Sequence, residues 1–473
     1  MTDHKTALAL LLAAPLLLAG CNLAPDYQRP AADIPAKLPL GAADGQPQQA
    51  ASAAALPWRQ FVADSRLQQV IAKALASNRS LKETLADVAS ARATYKGQYA
   101  SQFPELDASV SSSRAKTTSG SITSSSEATL GLSSYEIDLF GKARNMSEME
   151  LENYLSSSET LRAAQISLIG ETANAWLTLA ADHSLLKLAE ETAASAQQTM
   201  AISQKRLAMG VDSRVDLAGA ETTYQSARAD VASYKTQVAQ DINALNLLAG
   251  QQLPADLLPA ALADNGQWLS DVPAGLSSDV LLSRPDVLAA EHDLKAANAN
   301  IGVARAAFFP SLSLTAKGGV GSDALSDLFN GASSIWSVAP SLTLPIFDAG
   351  ANSAQLAYTK AQRDKYLAAY QNAVQTAFKE SADALARRGT IEEQLAAQSA
   401  LVAAAQQSYR LSFKRYQAGI DSFQDALSAQ RTLYSAQQGL ISTRLTELSN
   451  RVTLYRVLGG GLAGTAAEAP ATP

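Results

Sequence analysis

The chain has 473 residues, of which 47% are hydrophobic, 6% aromatic and 17% charged, with a formal net charge of -6. This is too apolar for intrinsic disorder, and the mild acidity argues against the basic face of a nucleic-acid binder. One cysteine excludes an internal disulfide framework or thiolate zinc cluster, and three histidines leave little for a metal or proton-shuttle enzyme.

Lys5 precedes a largely apolar run, Thr6 to Gly20, that ends Leu18-Ala19-Gly20-Cys21. A basic residue, a short apolar core and small residues before a cut describe a secretory signal peptide over residues 1–20. The run is too short for a spanning helix, which needs about 20 apolar residues. It resembles a bacterial lipobox, which implies a lipid on Cys21, and Asn22 after it resembles the outer-membrane-directed class. Each buried acyl methylene adds about 0.8 kcal/mol of membrane affinity, so several chains on Cys21 hold the N-terminus at the bilayer. Residues 21–57, rich in Pro, Ala and Gln, read as a lipidated extended strap lying on the rest of the protein; a free linker is the alternative.

The remainder is one pattern written twice, over residues 58–260 and 261–457, before a flexible tail at 458–473. Arg206-Leu-Ala-Met-Gly210-Val-Asp212-Ser213-Arg-Val-Asp216 matches Arg415-Tyr-Gln-Ala-Gly419-Ile-Asp421-Ser422-Phe-Gln-Asp425 at an offset of 209. Phe103-Pro104 matches Phe309-Pro310, and Gly141 matches Gly350, at nearly the same offset. In each copy, alternation of apolar with small polar residues marks two strands, at about 104–114 and 128–139, then at about 310–317 and 335–346. Apolar-out, polar-in alternation over about ten residues is the pattern of a membrane β-barrel strand. The Ser/Thr/Gly-rich stretches 115–127 and 318–334 read as external loops. Phe103, Phe140, Phe308, Phe309 and Phe347 cluster at the opposite strand ends as interfacial aromatics. A soluble hairpin packed on helices is the competing reading of these strands.

Long helices follow each strand pair. Leu179, Leu186, Ala193, Met200 and Leu207 recur every seven residues, as do Leu427, Tyr434, Ile441, Leu448 and Tyr455. Repeats sustained this far mean helices that supercoil against neighbours. A helix over 142–209 is about 100 Å long at 1.5 Å per residue. It ends at a tight tip, 210–213, where Gly210 can turn left-handed and Ser213 with Asp216 caps the next helix. Gly419, Ser422 and Asp425 are expected to repeat the device at the tip 419–422. Four strands cannot close a barrel, so strands in hydrocarbon require several chains to share one. Three chains give twelve strands and room for a lumen.

Several stretches carry a family resemblance: Cys21-Asn-Leu-Ala-Pro-Asp-Tyr-Gln-Arg-Pro30, Gly275-Leu-Ser-Ser-Asp-Val-Leu-Leu-Ser-Arg-Pro-Asp-Val287, Phe308-Phe-Pro-Ser-Leu-Ser-Leu-Thr315, Leu344-Pro-Ile-Phe-Asp-Ala-Gly350 and Leu458-Gly-Gly-Gly461. The chain resembles the outer membrane factor (TolC-like) family, in the lipoprotein branch that serves resistance-nodulation-division efflux pumps. The resemblance implies a mixed α+β membrane protein: four transmembrane β-strands plus long coiled-coil-like helices per protomer. It implies a homotrimer with a 12-stranded β-barrel continuous with a periplasmic α-helical barrel in the Gram-negative outer membrane. It implies a passive, gated efflux conduit whose partners are outer-membrane lipid, a periplasmic adaptor protein and an inner-membrane transporter of the resistance-nodulation-division class. No nucleic acid, metal or cofactor is expected beyond the lipid on Cys21.

The resemblance places adaptor docking at the tips: Gly210, Val211, Asp212 and Ser213, with Gly419, Ile420, Asp421 and Ser422. Relatives often carry an Asp-Ala-Gln-Arg run above the tip, and here it is Ser428-Ala-Gln-Arg431. Asp421, Asp425, Ser428 and Arg431 are therefore the gate candidates; plain helix capping is the alternative for both aspartates. Enzyme readings are weak, since P-loop, G-x-S-x-G and H-E-x-x-H runs do not occur. Two rivals stay open: a type I secretion channel, and a lipid-anchored coiled-coil scaffold or adhesin.

Overall fold

The computed structural model describes residues 22–39, 56–116, 118–262, 268–272, 277–328, 330 and 333–460. The signal segment 1–20, Cys21 and residues 461–473 lie outside the described residues. After one helical turn at Trp58–Phe61 come α1 (Ser65–Ser77), α2 (Arg79–Ala100), β1 (Asp107–Lys116), β2 (Ile122–Ile137), α3 (Lys142–Ala208) and α4 (Arg214–Ala249). The second repeat supplies α5 (Pro285–Ala306), β3 (Ser311–Ser322), β4 (Ser333–Thr343), α6 (Ala351–Gln417) and α7 (Phe423–Val457). α3 and α6 each run 67 residues without a proline. No described helix is long and apolar enough to cross a membrane.

The two repeats do not fold as separate units. The chain forms two compact units, and each takes matching parts of both repeats. One unit holds Ala86–Glu159 and Leu288–Asn372 with the stretch up to Ala32; the other holds Asp33–Leu85, Thr160–Val287 and the chain from Ala373. The cause is strand pairing across the duplication: the sheet order is β1-β2-β3-β4, so β2 of the first copy bonds to β3 of the second.

In the first unit the strands run past their expected ends into the stretches read as loops. β1 and β2 stay in register out to Lys116 opposite Ile122, and β3 and β4 to Gly321 opposite Ser333. Serine and glycine suggest loops by composition, but across an antiparallel pair small hydroxyls bond to each other. Ser109 pairs with Thr129 and Ser112 with Ser126, each oxygen pair 3.0 Å apart. At the other end β2 stops at Ile137 and β4 at Thr343. Beyond the ladder, Asp138 and Asp348 accept from the Arg144 and Asn352 amides at 3.0 and 2.8 Å, at the starts of α3 and α6.

The strap of this unit lies along α5. Asn298 and Arg305 donate to the carbonyls of Pro25 and Leu23 at 2.7 and 2.9 Å, and Tyr27 and Arg29 both bind the buried Glu291 carboxylate. Gly302 sits beneath it: a Cβ there would meet Asn145 Nδ2 at 2.6 Å and the Ala24 nitrogen at 2.8 Å. Replacing Gly302 by valine should therefore lift the strap, read as faster proteolysis near residues 22–30 with the helices intact.

In the second unit, Trp176 is fully buried, meets Trp268 edge-on and donates to the Leu257 carbonyl at 3.1 Å. Arg284 opens the Pro285 helix with its side chain only 9% exposed, bound to Asp286, Glu380 and the Val457 carbonyl. The tail begins as structure, which corrects the flexible reading for Leu458–Gly460: Leu458 is buried, and Gly460 donates to the Tyr455 carbonyl at 2.8 Å. A left-handed Gly459 folds these residues back on Tyr455. Removing the guanidinium as Arg284→Met takes the partner from Glu380 and leaves the buried Val457 carbonyl to the longer Ser381 bond at 3.4 Å, a loss of about 1.5–3 kcal/mol for bonds to a charged group. Thermal unfolding should show it as a lowered midpoint.

Between α3 and α4 the Asp182 carboxyl is pushed up to about 7 by burial, then by its hydrogen bond to Asp241 and that group's charge. His183 beside it is lowered, chiefly by burial. A carboxyl raised in the folded chain binds its proton there at a pH where the unfolded chain has lost it. The stabilisation is complete below about pH 4 and is lost as pH rises through about 7. Hydrogen exchange over residues 179–186 should accelerate from pH 5 to pH 8 beyond the intrinsic rate change, and Asp182→Asn should flatten that excess.

Candidate channel wall and hairpin tips

Residues opposite each other in an antiparallel pair share a face. One face of the sheet carries Ala108, Val110, Leu130, Leu132, Leu312, Leu314, Ala316, Val338 and Leu342. The other carries Ser109, Ser111, Thr129, Glu127, Ser313, Thr315, Lys317, Ser337 and Ser341. The register shifts between Leu132 and Tyr135, with Ser134 at a φ of 54° and its amide donating to Thr315 Oγ1 at 3.1 Å. One extra residue at this bulge returns Tyr135 and Ile137 to the apolar face, opposite Leu314 and Leu312. Val110, Leu130, Trp336, Val338 and Leu342 are exposed, a cost in water that a lipid surround removes. On the polar face Lys317 Nζ meets Glu127 at 2.8 Å. β1 and β4 are the sheet's edges, each with one unpaired side.

The aromatic residues lie where strands join helices. Phe140 stacks on Phe309 at 4.7 Å, Phe103 meets Tyr99 edge-on at 5.4 Å, and Phe308 and Phe347 stand exposed.

At the tips, Gly210 and Gly419 have φ of 74° and 72°, with nothing near either Cβ position, so the left-handed turn alone calls for glycine. The Val211 amide donates to the Arg206 carbonyl and Ile420 to Arg415, both at 2.9 Å. Ser213 and Asp216 form a full capping box. The second tip does not repeat it: Ser422 accepts no backbone bond and instead donates to Asp425 at 2.7 Å.

The two tip aspartates also differ. Asp212, with a side chain 4% exposed, accepts from Tyr416 at 2.6 Å, Arg206 at 2.8 Å and Ser203 at 3.1 Å. Burial alone would raise its carboxyl, but these three donors hold it below the usual range. Burial, then the Asp212 bond, push the Tyr416 hydroxyl up. Among the described residues Asp421 pairs with Arg415 of its own hairpin, on the surface. It is therefore neither a helix cap nor a free carboxylate. Asp425 and Ser428 are exposed, and Arg431 reaches Thr223 at 3.5 Å.

These contacts belong to a ladder between the hairpins that sequence reasoning missed. Tyr416 binds Asp212, Tyr434 donates to Asp230 at 3.0 Å and Gln438 to the Tyr234 hydroxyl at 3.2 Å, all 204 residues apart. Tyr416 and Tyr434 look like heptad core positions, and the first is buried and the second half-buried; the missed signal is that a tyrosine inside a seam needs a hydroxyl partner. Tyr416 also packs with Phe423, Ala426, Leu427 and Ala220 beneath Arg206, which lies 4.7 Å over its ring. Outside this core, Met209, Val211, Val215 and Ile420 are exposed apolar residues at the tips.

An exposed apolar sheet face feeding paired helices of this length defines an outer-membrane channel component. A profile of the outer membrane efflux protein family matches residues 70–251 and 276–460, and the chain belongs to that family. It is 46% identical over 465 residues to the toluene efflux pump outer membrane protein TtgC of Pseudomonas putida, covering 97% of this chain and 96% of that one. It is 39% identical over 449 residues to the cation efflux system protein CusC of Escherichia coli, covering 94% and 97%. The open-state MtrE outer membrane channel of Neisseria gonorrhoeae matches with a TM-score of 0.85 at 38% identity, over 93% of this chain and 99% of that one. The protein resides in the Gram-negative outer membrane with a periplasmic extension.

Tyr416→Phe leaves the buried Asp212 without its shortest donor, worth about 1.5–3 kcal/mol for a bond to a charged group. Hydrogen exchange over residues 203–216 should rise by that amount, while Tyr409→Phe, one heptad earlier, should leave it unchanged.

Proposed function

We propose that three copies join into one twelve-stranded barrel and act as the passive, gated outer-membrane duct of a tripartite efflux pump. The observation that carries the reading is the two-faced sheet with both edges open: each edge needs a partner strand, and a second copy supplies it. Two copies would give eight strands, a number whose interior side chains fill. Three leave a water-filled lumen lined by the Ser, Thr and Glu127–Lys317 face. Such a lumen imposes little selection, so the choice of exported compound lies with an inner-membrane transporter of the resistance-nodulation-division class.

A periplasmic adaptor would dock at Gly210, Val211, Asp212, Ser213, Gly419, Ile420, Asp421 and Ser422. The uncovered Met209, Val211, Val215 and Ile420 support this, since apolar tips cost free energy until a partner covers them. The ladder would hold the second hairpin to the first in the resting state. An adaptor that binds the released arrangement more tightly shifts the population toward it. Asp425, Ser428 and Arg431 would line the passage near the second tip, with Asp421 joining them once Arg415 lets go. A lipid on Cys21 would add a second hold on the outer membrane beside the barrel.

Removing two rungs together, as Tyr416→Phe with Tyr434→Phe, should shift the closed–open balance on the order of a hundredfold toward open. Single-channel recording in planar bilayers should show this as raised open probability; an open probability indistinguishable from that of the unmodified channel would contradict the gate. Cys21→Ser should leave an integral membrane oligomer, whereas a lipid-anchored scaffold would be released to the soluble fraction. Deleting the gene should sensitise cells to a panel of drugs, solvents and metal ions. An unaltered panel, with the partner transporter expressed, would remove the efflux assignment.

A further inference from the structure

The lipid-facing side of the sheet changes character along β1. Ala108 and Val110 belong to the apolar face, and the next positions of the same parity are Ser112, Arg114 and Lys116. Alternate residues of a strand share a face, so both cations point to the side of Leu130 and Val338 and away from the polar lining. Every residue of β1 is exposed. Neither cation has an ion-pair partner among the described residues. The acid nearest in register, Glu127, stands opposite Ser111 on the polar face and is held by Lys317.

Their height along the sheet is informative. The apolar face runs from Leu312 to Val320 along β3, eight residue steps, or about 21 Å of membrane depth at about 3.4 Å per step and a tilt near 40°. Arg114 and Lys116 lie past that band, beside the β1–β2 turn and remote from the ends where the strands join helices. With the helices in the periplasm, the turn end is the outer-leaflet end. A lipid-facing cation costs about 2–4 kcal/mol at midplane but only about 0–1 at the interface, so this is the depth where two can stand together.

We propose that Arg114 and Lys116 form a docking point for the phosphorylated headgroup of an outer-leaflet glycolipid. A guanidinium takes a phosphate through two parallel N–H bonds, and an ammonium about 7 Å further along the strand adds a second positive charge. Because β1 is an edge strand, the headgroup sits at the seam where a neighbouring copy would pair, and bridges two protomers there. The proposal rests on the shared-barrel reading and its orientation in the membrane.

Native mass spectrometry of the full-length channel tests it, titrating bisphosphorylated lipid A and the same lipid with its phosphates removed. The unmodified trimer should retain the phosphorylated lipid. Arg114→Gln with Lys116→Gln should bind it about thirtyfold more weakly, as expected for two cations near a charged surface. The charge-keeping pair Arg114→Lys with Lys116→Arg should stay within a few-fold of the unmodified protein, and Lys317→Gln should change nothing. Equal binding by the unmodified and glutamine trimers overturns the proposal, as does equal binding of the two lipids. Complete displacement by millimolar inorganic phosphate also overturns it, marking a site for small free anions. An unmodified protein that forms no membrane trimer overturns the shared barrel itself, and this proposal with it.

Discussion

A backbone N–H or C=O stranded in hydrocarbon costs several kcal/mol, and in this chain two strands, β1 and β4, each present a row of such groups. The inner pairs are complete: β1 with β2, β2 with β3 and β3 with β4 run ladders of ten or eleven residue pairs. One face is apolar enough for lipid and the other is written in serine, threonine and a buffered Glu127–Lys317 pair. Such a sheet is stable in a bilayer only as part of a closed ring, and everything below the membrane inherits that requirement.

The duplication supplies the parts twice but does not leave them equivalent. Asn78 and Arg284 stand 206 residues apart and both donate to a carbonyl at the end of their repeat's last long helix, of Leu248 and Val457 respectively. Only the arginine also reaches an acid on the long helix, Glu380. The tips diverge more. The first has a full capping box and a buried Asp212 with three donors, whereas the second has an uncapped Ser422 and a surface Asp421–Arg415 pair. The first hairpin is thus the better-fixed element and the second is held to it by side-chain bonds, so movement at the tips is expected to fall on the second. Those bonds are few, polar and placed between helices, which makes them breakable without unfolding either hairpin.

Much of this was legible in the sequence because periodicity and turn chemistry are local. Seven-residue repeats marked α3 and α7, and Gly210 and Gly419 marked the tips. Strand ends were less legible, since Ser124–Ser126 and Gly318–Gly321 have loop-like composition and stay in strands through pairing with residues that composition does not reveal. The ladder was illegible for a related reason. Its bonds join residues 204 apart while the repeat offset is 209, so aligning the copies places Tyr416 opposite Leu207, not Asp212. The tip roles of Asp421 and Asp425 could not be separated either, because capping and ion pairing use the same residue type at nearly the same position.

Cysteine pairs across the two open edges give the most direct measurement. With single cysteines placed along Asp107–Ser113 of β1 and Ser337–Thr343 of β4 in a Cys21→Ser background, oxidation in the membrane should yield a covalent trimer for the registers that bring the edges together. No species beyond three copies should form, because the ring is then closed. Cross-linking within a single chain, or a detergent-free monomer whose edge strands are protected from exchange, would contradict a shared barrel.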